Sequence, residues 1–176
     1  MVSFYTVLKL PANNTVEKHV MANSLHIEWL NKGIANWNSL QGPDSVHPDF
    51  RGVKFEYKNL TGANFRRANF QDAYLHETQL NNTILRGAYF RGAELSRANL
   101  EDADLSGAVL QGVNLTFANL RNAKLLGADI WGADLEGADL RGAVWTCCKK
   151  VDSAFEILND NLGGTHDTQT FYRRLS

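Results

Sequence analysis

"GADIWGADLEGADLRGA" (Gly127–Ala143) returns glycine, alanine, a carboxylate and a large apolar residue at every fifth position. Neither regular structure accommodates that period. On an α-helix five residues advance about 500°, so successive apolar side chains would circle the cylinder instead of forming a stripe. On a continuous strand an odd period would send them to opposite faces in turn. The period fits a chain that turns a corner once per repeat. Two alternate residues then point inward, the one between them points out, and the remaining two make the corner. Glycine holds the second corner position in ten of nineteen repeats between Gly52 and Gly142, as expected where a turn needs positive φ.

The pattern runs outward from this stretch without a slip. Every fifth residue from Phe50 to Trp145 is Leu, Phe, Ile or Trp, and alanine stands two residues before it in 14 of 20 repeats. The stretches "GANFRRANF", "GAELSRANLEDADLSGAVL" and "GADLEGADLRGA" resemble the pentapeptide-repeat family, whose motif is A(D/N)LXX, over residues 48–146. The resemblance implies an all-β solenoid, a right-handed quadrilateral β-helix with four pentapeptides per coil. Twenty repeats would make about five coils, a rod on the order of 24 Å long. Residues twenty apart would stack, which puts Phe50, Phe70 and Phe90 in one interior column and predicts a wider interior in the early coils. Lys58 falls at an inward alanine position near one end and is expected to reach solvent there.

Both ends of such a coil are unpaired edges that need covering. Residues 1–47 are expected to form an N-terminal segment with a capping helix over about 15–41. Val16, Val20, Ile27, Leu30, Ile34 and Trp37 follow helical spacing, interrupted by Asn23; Asn14 and Glu17 resemble a capping box, and Gly42-Pro43 stops the helix. "WLNKGIANWNSL…VHPDFRG" resembles the leader of some cyanobacterial family members. "VSFYTVLKL" ahead of it is β-prone and reads as a short strand. After Trp145 the period ends. In the C-terminal tail, 147–176, Ala154, Phe155, Ile157, Leu158 and Leu162 predict a short helix ended by Gly163-Gly164. It is expected to fold onto the last coil, its own or a two-fold mate's, and to cover Trp131.

Composition narrows the function. Lys+Arg is 18 against Asp+Glu 19, a formal net charge of -1, which gives no overall field for nucleic acid. No apolar run reaches the roughly 18 residues of a membrane span. The N-terminal stretch lacks the basic region and cleavage site of a secretory signal, and the only cysteines are the adjacent Cys147 and Cys148, expected to be structural thiols. A cytoplasmic protein is expected. None of the five histidines is followed by a ligand at i+3 or i+4, and neither a phosphate loop nor a nucleophile elbow is present. The outward carboxylates diverge and make a poor acid/base pair. No catalytic, cofactor-binding or metal-binding residue is expected, and no cofactor: the chain does not read as an enzyme.

The surface remains. Residues 50–91 carry seven basic and three acidic side chains, and residues 92–142 carry four basic and eight acidic ones. Exposed apolar side chains are expected at Ile84, Leu126, Trp131 and Val144, on one side or its adjoining corner in the later coils, with Asp129, Asp134 and Asp139 on successive sides of the last coil. Together these form the candidate interaction surface. The leading expectation is a non-catalytic structural or protein-interaction protein, monomer or homodimer, with an unidentified protein partner and no direct contact to nucleic acid or membrane. The resemblance implies an alternative, a DNA-mimic protein that binds DNA gyrase in the manner of quinolone-resistance proteins. The basic first half of the repeat region counts against it.

Overall fold

A computed structural model describes residues 24–40 and 47–144. From Asp49 to Val144, sixteen parallel β-bridges join residues twenty apart, from Asp49–Asn69 to Lys124–Val144. Four pentapeptides therefore complete one turn of the chain. The bridging residue is always the outward one of the repeat. Its amide donates to the coil before, as in Asn69 N to Pro48 O at 2.7 Å, while the following apolar residue donates to the coil after, as in Phe50 N to Asn69 O at 2.8 Å. A coil with one bridge per side thus satisfies its backbone without long strands.

The corners explain the rest of the motif. Val53 N donates to Phe50 O at 3.1 Å and Gly52 has φ +61°, a turn with the positive φ at its third residue. All nineteen such positions from Gly52 to Gly142 have positive φ, and nine of them are not glycine, among them Tyr57, Arg67 and Phe117. The ladder holds them there: Arg67 N bonds Arg86 O at 2.9 Å and Phe117 N bonds Glu136 O at 2.8 Å. The first corner residue leaves an amide that the ladder does not use. An Asn or Asp in the outward position accepts from it, as Asn99 Oδ1 does from Glu101 N at 3.1 Å and Asn114 Oδ1 from Thr116 N at 3.0 Å. That is the physical reason for D or N beside A and L in the repeat.

The interior is filled by the two inward positions. Phe50, Phe70 and Phe90 stack at 5.1 and 5.0 Å, and the column continues to Leu110 and to a partly buried Ile130. Ala98 and Ala103 are completely buried mid-rod. Leucine at either position should overpack the coil and cost about 1–3 kcal/mol. Glu101→Gln, which projects outward and keeps an acceptor for Asn119, should stay within about 0.5 kcal/mol. Denaturant midpoints of the three variants check this; equal losses would overturn the inward and outward assignment.

The N-terminal segment differs from the single helix expected. Helix α1 spans Ser24–Asn31 and α2 spans Ile34–Leu40. Gly33, at φ +107°, turns the chain between them; Lys32 N and Gly33 N close the end of α1 on Trp29 O and Leu30 O. The apolar stripe survives the break because both helices lie on the same coil end: Leu30 and Trp37 are buried, and Ile27 and Ile34 pack against the core. The expected helical residues 15–23 and 41, the strand near the N-terminus, Trp145, the cysteine pair and the whole tail lie outside the described residues.

The two helices stand in for a missing coil. Trp37 packs on Phe50 and Phe65 at 5.5 and 5.7 Å, and its Nε1 donates to Asn64 O at 2.7 Å. Asn38 accepts from Asn64 N at 2.8 Å and donates to Gly62 O at 2.9 Å. His26 Nδ1 accepts from Asp49 N at 3.0 Å. In every later coil the outward amides, and the carbonyls that match Asn64 O, meet the coil before. Lys58 is only partly buried, as expected, but does not stretch away: its ammonium lies 5.1 Å from the Phe55 ring centroid and 2.8 Å from Asn31 Oδ1 on α1.

A pH dependence follows from His26. Burial holds the imidazole below its ordinary value of 6.5, with the nearby Asp49 carboxylate opposing. An amide donor aimed at Nδ1 also requires that nitrogen to be unprotonated. The hydrogen bond from Arg51 holds the Asp49 carboxyl below its ordinary range. The unfolded chain therefore binds more protons than the folded one as pH falls below 6.5, and stability is lost on acidification. His26→Gln keeps an acceptor that does not titrate. Urea midpoints at neutral and mildly acid pH should fall less steeply for this variant than for the parent; identical slopes would show that His26 does not contribute.

Candidate interaction surface

The repeat presents four outward columns of different chemistry. The first runs Asp49, Asn69, Tyr89, Val109, Asp129; the second Lys54, Tyr74, Glu94, Asn114, Asp134. The third runs Asn59, Gln79, Asn99, Asn119, Asp139, and the fourth Asn64, Ile84, Asp104, Lys124, Val144. The third is largely occupied with itself: Asn119 Nδ2 donates to Asn99 Oδ1 at 3.1 Å, and Asn99 Nδ2 to Gln79 Oε1 at 3.2 Å. Such a ladder stabilises the rod and leaves few free donors for a partner.

Ile84, Leu126, Trp131 and Val144 are all exposed, Trp131 by 55 %. They are not contiguous. Asp104 and Lys124 separate Ile84 from Val144 on the fourth side, and Asp104 also meets Arg86 Nε at 3.2 Å. Leu126 sits at the corner entering the first side and Trp131 at the corner leaving it, so these two flank Asp129. Asp134 and Asp139 face two other directions. One oxygen of each aspartate accepts a corner amide, from Trp131, Glu136 and Arg141 respectively. Asp129 further accepts from Gln111 Nε2 at 2.6 Å. Asp139 is paired with the Arg141 guanidinium, whose hydrogen bonds hold its carboxyl below the usual range.

Other exposed rings complete the surface. Tyr57 meets His76 edge-on at 5.7 Å, Tyr74 lies under the Lys54 ammonium at 5.6 Å, and Phe117 lies under Arg97 at 5.7 Å. A Cβ on Gly137 would collide with the Phe117 ring, so that glycine leaves room for it. Tyr89 and Val109 are direct neighbours on the first side, with Tyr89 51 % exposed. Among the described residues no group of three or more His, Cys, Asp or Glu could hold a metal ion, and no helix is long and apolar enough to cross a membrane.

The period, the coil and the corner bonds agree with one family model. Pentapeptide repeats match in eight copies over residues 49–80, 73–112 and 103–142, more than half of the chain. The chain belongs to the pentapeptide-repeat family. Solved structures place it among right-handed β-helices. The pentapeptide-repeat protein alr5209 from Nostoc PCC 7120 is 27 % identical with a TM-score of 0.51, over 74 % of this chain and 100 % of that one. QnrB1, a plasmid-mediated fluoroquinolone resistance protein, is similar in fold at 23 % identity and a TM-score of 0.58, over 61 % of this chain. The match spans 53 % of the QnrB1 chain, about half its length. No curated protein matches the chain at a significant level.

Proposed function

We propose that this pentapeptide-repeat protein is a non-catalytic interaction protein, which offers a rigid, chemically distinct set of sides to a protein partner. The repeat region is read as about five coils over 48–146, capped at its N-terminal end by α1 and α2. The observation that carries the reading is the contrast between inside and outside. The interior is filled by Leu, Phe and Ala, while exposed rings and guanidinium groups are set on a backbone fixed by a hydrogen bond at every corner. Repeat solenoids use such preorganised surfaces for binding.

The second reading, a DNA mimic that binds gyrase, is favoured by the likeness to QnrB1, which extends to the fold. A duplex mimic needs an acidic surface along its length, and here residues 50–91 are net basic. DNA supercoiling by gyrase, measured with and without the full-length protein, separates the two. No change in supercoiling or in quinolone inhibition is expected; inhibition or protection by the protein would favour the second reading.

A further inference from the structure

Five of the arginines on the described coil have a partner: Arg51 with Asp49, Arg86 with Asp104, Arg97 with Phe117, Arg121 with Glu101 and Arg141 with Asp139. Arg66, Arg67 and Arg91 have no carboxylate or ring partner among the described residues. All three border the first side. Arg66 and Arg67 form the corner that enters it at Asn69, and Arg86 stands at the same corner one coil on, with Arg67 N bonded to Arg86 O at 2.9 Å. Arg91 closes the opposite corner of that next coil. Tyr89 lies between Arg86 and Arg91, with Asn69 and Val109 as its neighbours above and below.

The arrangement is preset. Arg67 is held at φ +55°, and a Cβ at Gly87 would lie 3.6 Å from Arg67 Cγ, so the Arg67 stem runs along a corner stripped of its side chain. The nearby carboxylates offset the group only in part, two against four arginines. Asp104 is taken by Arg86, and Asp72, at the Arg91 corner, accepts from Gln71 Nε2 at 3.1 Å without forming an ion pair. Below Tyr89 the same side carries Val109 and then Asp129, with Leu126 and Trp131 at its corners.

We propose that the N-terminal half of this side docks a short acidic segment of a partner protein, with carboxylates on Arg66, Arg67 and Arg91 and an apolar residue against Tyr89 and Val109. The proposal deepens the protein-interaction reading and rests on it. Guanidinium groups suit carboxylates because their fork matches the two oxygens. Protein is favoured over nucleic acid by extent: the four arginines lie on two successive coils, about 5 Å apart along the rod. A longer polyanion would run onto residues 92–142, which are net acidic.

The test uses full-length protein and a fluorescein-labelled peptide of repeating Glu-Glu-Phe. A lysine counterpart (Lys-Lys-Phe) and a single-stranded oligonucleotide serve as comparison probes. The acidic peptide should bind, and more weakly as salt rises. Arg66→Glu with Arg67→Glu should weaken it about tenfold or more, since like charges then face each other. Arg121→Glu with Lys124→Glu makes the same change in net charge elsewhere on the rod and should change binding less than about twofold. Equal losses from the two double variants, no binding of the acidic peptide, or tighter binding of the oligonucleotide would overturn the proposal. If in-cell crosslinks to a protein arise from another side while this one stays silent, the acidic dock fails and the wider interaction reading stands.

Discussion

Phe70→Ala is expected to lower stability by about 3–5 kcal/mol, among the largest effects of any single substitution in the chain. Phe70 is fully buried and is sandwiched between Phe50 and Phe90 with nearly parallel rings, at 18° and 7°. It also meets Phe65 edge-on at 5.2 Å. Removing it empties a slot whose walls are fixed by bridges on every side, so the coil cannot collapse into the space. Phe70→Leu should cost less because most of that volume stays filled, as it does at Leu110 in the same column. Chemical denaturation of the parent and both variants reads the difference. A loss below about 1 kcal/mol for the alanine variant would mean that the phenylalanine column does not carry the early coils.

Trp37→Ala is expected to cost a similar amount, about 3–5 kcal/mol, and to change association as well. The indole covers Phe50 and Phe65 and occupies the Asn64 carbonyl, so its loss opens both the interior and an edge that pairs with other strands. Trp37→Phe keeps a ring over the core and gives up the hydrogen bond, at about 1 kcal/mol. Light scattering alongside denaturation separates the consequences: the alanine variant should grow in size with concentration, and the phenylalanine variant should not. An alanine variant as stable as the parent and unchanged in size would make α1 and α2 an independent arm.

The interior was legible in the sequence because sterics alone decide it. Only a small residue two before a large one can fill a coil this narrow, and all the large inward residues from Phe50 to Leu140 except Ile130 are buried. The break at Gly33 was not legible, because the apolar stripe continues in helical spacing across it. The roles of His26 and Asn38 were hidden for another reason. They replace hydrogen bonds of a coil that is not there, and that need arises only once the helices sit on its edge. Asp129, Asp134 and Asp139 read as free outward carboxylates, although the choice of D or N in the repeat already signalled an acceptor for a corner amide. Numbering by twenties places Arg66, Arg67 and Arg91 around one side. Which arginines lack a partner depends on side-chain placement, which spacing does not carry.

Site-directed photo-crosslinking in the cell that makes the protein tests most directly whether it acts by presenting a surface. Benzoyl-phenylalanine replaces Tyr89 on the first side and, separately, Asn99 in the amide ladder of the third. A discrete protein adduct from position 89, with none from position 99, is the predicted result. Nucleic-acid adducts, or no adduct from position 89 or from any other exposed position on the rod, would contradict it.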